Sequence, residues 1–124
     1  MRLVLKHHFD AAHRLPNYNG KCASLHGHRW EVEVEVKGQS DPVTGMLIDF
    51  TIIKHIIDQY DHKHLNDFIE NPTAENIATA LQQLIMKEIT FLQSAVEKID
   101  SHTPYVVVVR IWESPGCLIE VGLC

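Results

Sequence analysis

A cysteine and three histidines near the N-terminus form the clearest chemical pattern in this sequence. His26 and His28 are separated by one glycine, Cys22 stands four residues before His26, and His13 lies further upstream. Three imidazole ligands and one open position are typical of catalytic zinc, whereas a structural zinc ion usually has four protein ligands. We therefore predict a Zn²⁺ site formed by His13, His26 and His28.

Two roles are open to Cys22 beside such an ion. A thiolate close to a dication has a lowered pKa and can act as a base or a nucleophile. As a fourth ligand, the same thiolate would close the coordination sphere and make the site structural. The spacing between Cys22 and His26 is compatible with both roles.

Asp61, His62 and Glu113 are further candidates, each with an ordinary alternative. An aspartate beside a histidine can orient the imidazole or stabilise its protonated form, as in general acid–base pairs. The alternative for Asp61 and His62 is a solvated helix C-terminus, where cations are favoured. Glu113 ends an apolar segment, so it is either simply exposed or holds a cationic or amide-bearing ligand. The residues alone leave these alternatives open.

Two strands are expected to position the histidines. Apolar and charged residues alternate along residues 29–37, which predicts a strand with one buried and one charged face. His28 is in phase with the buried residues of that strand. Residues 3–13 show a similar alternation that ends at His13. Antiparallel pairing of the two segments would bring His13 toward His26 and His28.

Two helices and two more strands are predicted after this pair. Apolar residues at helical spacing predict a helix with Asp49 as N-cap that stops within residues 61–66, and a second helix that opens at Thr73 as N-cap. Residues 94–103 are ambiguous between helix and loop. Strands are expected at residues 105–113 and 117–123, so the predicted order is ββααββ.

Composition narrows the class of protein. The 124 residues carry a formal charge of −5 and 45% hydrophobic residues. These values favour one domain over residues 1–124 and argue against nucleic acid or an anionic membrane as partner. Three cysteines argue against a disulfide framework. The apolar runs are too short for a signal peptide or for the roughly 18 residues of a membrane span, so we expect a cytoplasmic protein.

The order of these motifs resembles that of the 6-pyruvoyltetrahydropterin synthase and 6-carboxytetrahydropterin synthase family. The similar segments extend over most of the chain and occur in the same order. They are residues 9–15, Cys22 with residues 26–28, residues 45–50, Asp61-His62 with Leu65-Asn66, residues 72–76 and residues 112–114.

The resemblance implies an α+β protein with the T-fold (tunnelling fold). Its ββααββ protomer has an antiparallel four-stranded sheet with two helices on one face. Three protomers close their sheets into a barrel, and two such trimers commonly stack into a hexamer. The implied active sites lie between subunits, and the charged face of residues 29–37 would line the barrel.

The resemblance also implies roles for the candidate residues. The three histidines become the zinc ligands, and Cys22 becomes the thiolate that abstracts a proton. Asp61 and His62 become a second proton-transfer pair, contributed by a neighbouring protomer. Glu113 anchors the pterin ring by accepting hydrogen bonds, and Thr73 also touches the ring.

The implied substrate is 7,8-dihydroneopterin triphosphate, and the short gap between Cys22 and His26 resembles the branch of queuosine biosynthesis. That branch is a carbon–carbon lyase, which releases acetaldehyde and triphosphate and yields 6-carboxy-5,6,7,8-tetrahydropterin. Two alternatives remain: the pyruvoyl branch, which eliminates triphosphate without carbon–carbon cleavage, and a non-catalytic module that binds pterin or zinc. Leu25, which directly precedes His26, argues against the folate-related branch, where a glutamate is expected near this point.

Overall fold

The computed structural model describes residues 1–95 and 105–122. Its strands and α-helices follow one another in the order ββαβαββ. They are β1 (Arg2–His13), β2 (His26–Lys37), α1 (Phe50–Asp58), β3 (Lys63–His64), α2 (Ala74–Ala95), β4 (Val106–Ser114) and β5 (Cys117–Val121). Short 3-10 turns occupy Lys21–Ala23 and Leu65–Asp67.

Within the described residues, the strands form one sheet in the order β3-β1-β2-β4-β5. The long strands pair antiparallel, as predicted, and β1 and β2 pair along their full length, from Arg2 opposite Lys37 to His13 opposite His26. The predicted four-stranded sheet was incomplete, because β3 adds a fifth strand that runs parallel to β1. A strand of two residues is too short to show an alternating pattern.

The core lies between one face of the sheet and both helices. Side chains of one parity on β1, β2 and β4 join the inward sides of α1 and α2 in a single apolar cluster. Phe9 and Trp30 stack at its centre, with ring centroids 6.0 Å apart. The predicted α+β architecture, with two helices on one face of a sheet, is therefore confirmed.

The opposite face of the sheet is charged and its ion pairs form a network. Arg110 on β4 contacts Glu33 and Glu35 on β2, at 3.1 and 3.2 Å, and also Glu120 on β5. Arg2 contacts Glu35 at 2.8 Å, and this hydrogen bond holds the pKa of Glu35 below its usual value. In the described protomer the sheet is open, with β3 and β5 at its two edges.

The predicted helix starts are confirmed by their caps. The carboxylate of Asp49 accepts a hydrogen bond from the backbone N–H of Thr51 at 2.9 Å, and the hydroxyl of Thr73 accepts one from Asn76 at 3.1 Å. Helix α1 ends at Asp58, before the predicted stop. Helix α2 includes residues 94 and 95, whereas residues 96–103 of the ambiguous segment lie outside the described residues, as does the end of the last predicted strand.

No helix in the part of the chain that the structure describes is long and apolar enough to cross a membrane.

Candidate metal centre and active site

The pairing of β1 with β2 brings the three histidines together. His13 lies directly opposite His26, and Ala11 lies opposite His28. The Nε2 atoms of His13 and His26 are 3.0 Å apart. The ring of His28 packs against both, with centroids at 5.3 Å from His13 and 4.8 Å from His26. Strand pairing alone therefore places three imidazoles around one point.

Carbonyl groups behind two of the histidines fix which nitrogen faces that point. Nδ1 of His13 lies 2.7 Å from the carbonyl oxygen of Pro72, and Nδ1 of His26 lies 2.7 Å from that of Ser24. A carbonyl only accepts, so each Nδ1 carries the hydrogen and each neutral ring keeps a bare lone pair on Nε2. Metal-ligating histidines are commonly held in this way.

Two lone pairs that face each other at 3.0 Å repel unless a cation lies between them. His28 adds a third imidazole, whose buried Nε2 has no hydrogen-bond partner among the described residues and lies within 4.8 Å of the other ligand atoms. Burial lowers the pKa of His28; Glu113 opposes this shift, and His13 and His26 add to it. A lowered pKa favours the neutral ring, which is the form that binds a metal. The residues present therefore fit a zinc ion.

Glu113 lies beside the three histidines. Glu113 was a candidate from the sequence but was not expected at the metal position. Its Oε1 lies 3.4 Å from Nε2 of His13 and 3.2 Å from Nε2 of His28. One ligand atom from each of the four residues lies within 4.8 Å of all the others. The available signal was strand phase: Trp112 pairs with Glu31 on the charged face, so the next residue points to the face of the histidines.

Cys22 lies on the loop between β1 and β2, in the 3-10 turn Lys21–Ala23, and is half-buried. Its carbonyl accepts a hydrogen bond from the N–H of Leu15 at 2.8 Å, which ties the loop to the end of β1. Among the described residues, the sulfur of Cys22 is not one of the converging ligand atoms. This placement does not support the structural-zinc alternative, in which Cys22 closes the metal site.

Asp61 and His62 form a second cluster with Asp10. The carboxylate of Asp61 accepts a hydrogen bond from the N–H of Asp10 at 2.9 Å and lies 2.9 Å from Nδ1 of His62. The N–H of His62 donates to the carbonyl of Asp10 at 2.6 Å. The bond from Asp10 is the main cause that holds the pKa of Asp61 below its ordinary value, so Asp61 is a carboxylate able to orient the imidazole.

Arg29 stabilises this second cluster. The sequence alone did not identify it as a site residue. Its guanidinium donates to both carboxylate oxygens of Asp10, at 3.0 and 3.3 Å. Asp10 and Arg29 lie opposite each other in the β1–β2 register, so a correct register would have revealed the pair. Arg29, His62 and His28 all border one cleft of about 620 Å³.

Thr73 acts as the N-cap of α2, next to Pro72, whose carbonyl contacts His13. The structure shows this capping role for Thr73. Its contact with a pterin ring stays a prediction.

His62 has a left-handed backbone, with φ at 57°, and an 80% exposed side chain. We expect His62→Gly to raise the free energy of unfolding by up to about 1 kcal/mol, because this conformation costs most L-residues roughly 1–2 kcal/mol and glycine adopts it freely. Thermal and urea unfolding would measure the change. The control is His62→Asn, which removes the imidazole but tolerates the same conformation less freely than glycine. A glycine variant less stable than the asparagine variant would contradict backbone strain at this position.

Comparison with known proteins relates this arrangement to a family. Residues 2–123 match the family model of 6-pyruvoyl tetrahydropterin synthase. The chain is 33% identical to a 6-carboxy-5,6,7,8-tetrahydropterin synthase of Rickettsia conorii, over 91% of this chain and 94% of that one. It is 35% identical to a dihydroneopterin monophosphate aldolase of Pyrococcus furiosus, over 71% and 77%.

Solved structures give the same fold. A 6-pyruvoyl tetrahydropterin synthase of Caenorhabditis elegans aligns with a TM-score of 0.68 at 23% identity, over 100% of this chain and 96% of that one. The α+β protomer described above is therefore the T-fold protomer predicted from the motifs. Because the family model covers almost the whole chain, this chain belongs to the 6-pyruvoyl tetrahydropterin synthase family.

Proposed function

We propose that this chain is a zinc-dependent carbon–carbon lyase of queuosine biosynthesis. It would convert 7,8-dihydroneopterin triphosphate and water into 6-carboxy-5,6,7,8-tetrahydropterin, acetaldehyde and triphosphate. The observation that carries the proposal is the convergence of the imidazoles of His13, His26 and His28, two of which turn a bare Nε2 lone pair toward the shared point. The names of several relatives that cover most of the chain support the choice of reaction.

The proposed roles follow from the position and chemistry of each side chain. A zinc ion held by His13, His26 and His28 would supply Lewis-acid chemistry, making hydroxyl and adjacent C–H groups of the substrate more acidic. Cys22 would take a proton from the substrate side chain. His62 would move a proton on the other face, with its imidazole oriented by Asp61.

Glu113 and Thr73 would bind the pterin ring. A carboxylate accepts two parallel hydrogen bonds from an amino group and a neighbouring ring N–H, which suits the end of a pterin. Glu113 is 30% exposed at its side chain, so it can reach a ligand in solution.

We also propose that the complete active site forms between protomers, in a trimer or a dimer of trimers in the cytoplasm. In the protomer, Asp61 and His62 cluster with Asp10, in a group separate from the histidines and Glu113. A neighbour that supplied its Asp61 and His62 would complete the set. The open sheet edges at β3 and β5 support such an assembly, because unpaired edges are generally covered or closed in native proteins.

The test is to follow both carbon fragments of the reaction. Purified zinc-loaded protein is incubated with 7,8-dihydroneopterin triphosphate, acetaldehyde is measured with a coupled dehydrogenase, and the pterin is identified by mass spectrometry. We expect equal amounts of acetaldehyde and 6-carboxytetrahydropterin. A product that keeps all three side-chain carbons, with no acetaldehyde, would instead indicate the pyruvoyl reaction.

A second substrate tests whether the chain is instead a dihydroneopterin monophosphate aldolase. The Pyrococcus furiosus relative is named a dihydroneopterin monophosphate aldolase, so the monophosphate is offered in parallel at the same concentrations. We expect a higher kcat/KM for the triphosphate. A preference for the monophosphate would favour the aldolase function, and zinc binding without turnover of either substrate would favour the non-catalytic module.

A further inference from the structure

Three of the distances between ligand atoms around the proposed metal position match the edge of a tetrahedron. Zinc binds nitrogen and oxygen ligands at about 2.0–2.1 Å, and the edges of a tetrahedron of that radius are about 3.3 Å long. The Nε2 atoms of His13 and His26 are 3.0 Å apart, and Oε1 of Glu113 lies 3.4 and 3.2 Å from Nε2 of His13 and His28. The carboxylate therefore occupies the vertex that a catalytic zinc ion leaves open for its substrate.

A bulge at the end of β4 leaves Glu113 at this vertex without a pairing partner on β5. Trp112 pairs with Leu118 and Ser114 pairs with Cys117, so the pairing of β4 with β5 skips residue 113. The pairing of β4 with β2 ends at Trp112. Glu113 is thus held by neither neighbouring strand, and β-bulges next to active sites commonly redirect a side chain. Its position allows the side chain to move without breaking the sheet.

The chemistry of a carboxylate gives Glu113 two competing partners. It can bind a zinc ion, and it can accept the paired hydrogen bonds of a pterin ring, but the same oxygen cannot do both at once. We propose that Glu113 is the fourth zinc ligand in the substrate-free protein and leaves the metal when a pterin ring binds. This inference rests on the proposed function, since it needs the pterin as the second partner.

The exchange would make a coordination position on the metal available only when a pterin ring is bound. A pterin that binds Glu113 removes the carboxylate from the ion and leaves that coordination position open. Polyphosphates and other anions without a pterin ring would meet a closed coordination sphere. The carboxylate would thus couple recognition of the ring to the availability of the metal.

The first test measures metal binding without activity. Zinc affinity is determined by competition with a chelator for the wild type, Glu113→Gln and Glu31→Gln. Glutamine is close in size to glutamate but is a poor zinc ligand, so we expect Glu113→Gln to bind zinc at least about 10-fold more weakly. Glu31, an exposed glutamate on β2 outside the cluster, serves as the matched control and should leave the affinity unchanged. Equal affinities in all three proteins would overturn the proposal.

The second test detects the exchange in the wild-type protein, so it does not depend on how a variant folds. Cobalt replaces zinc, and its visible absorption reports the coordination sphere. The probe is 6-methylpterin, which has the ring but no side-chain hydroxyls. We expect it to change the cobalt spectrum of the wild type and of Glu31→Gln, but not that of Glu113→Gln. An unchanged wild-type spectrum at a concentration where ring fluorescence shows binding would overturn the exchange.

The two proposals fail in different ways. If Glu113 never binds the metal, zinc affinity stays at the wild-type value in Glu113→Gln, while the wild-type protein still forms acetaldehyde. If the proposed function is wrong, acetaldehyde is absent whatever the metal affinities of the variants.

Discussion

His26→Ala is expected to lose bound metal and turnover together. The variant removes one of the two nitrogens that face each other at 3.0 Å, and the remaining ligands no longer surround the ion. Replacing a group that only supports a metal ligand typically costs 10- to 100-fold in affinity, so loss of the ligand should cost more than about 100-fold. Chelator competition and metal analysis of the purified protein would measure it.

The same variant should also lose its thermal response to zinc. A ligand that binds only the folded state at 100 times its Kd stabilises that state by about 2.7 kcal/mol, so the wild type should melt at a higher temperature when zinc is added. We expect no such rise for His26→Ala. The matched control is His55→Ala, an exposed histidine on α1 outside the cluster, which should keep metal, response and turnover. If His26→Ala kept zinc at the wild-type affinity, the assignment of the metal site would be wrong.

Cys22→Ala should keep the metal and lose turnover. Since the sulfur lies outside the group of converging ligand atoms, its removal leaves three histidines in place. Loss of a proton-transfer group typically costs about 10²–10⁴-fold, so we expect kcat to fall by that factor with zinc content unchanged. Stopped-flow or steady-state assays of acetaldehyde release would give kcat.

Cys117→Ala is the control for this variant, because Cys117 is an exposed free cysteine on β5. It should behave as the wild type. The cobalt-substituted wild type should also lack the intense near-ultraviolet absorption of a thiolate ligand. Release of metal from Cys22→Ala, or a thiolate band that this substitution removes, would restore the structural-zinc alternative.

The face of the sheet that carries the histidines could be predicted from strand periodicity. His13 and His28 share the parity of the buried residues on their strands, and the observed register then places His13 opposite His26. The starts of both helices were also predictable, since Asp49 and Thr73 are strong N-cap residues that precede apolar residues at helical spacing.

Other features depend on contacts that a linear pattern does not encode. The strand Lys63–His64 exists because its two residues pair with β1, not because of any alternation. The approach of Glu113 to the histidines depends on the register of β4 against β2 and on a bulge against β5. The contact of Arg29 with Asp10 likewise requires the exact cross-strand register. How protomers share an active site is a property of an assembly and stays a prediction.

The carbonyl contacts of His13 and His26 hold both rings in place before an ion binds. Because the sheet and the carbonyls of Pro72 and Ser24 already hold both rings, the side-chain entropy of arranging the ligands is lost when the chain folds rather than when metal binds. Small zinc domains whose ligands are ordered only by the ion unfold without it. This chain should instead stay folded after metal removal and take the ion up again without refolding. The proposed metal site is therefore preorganised.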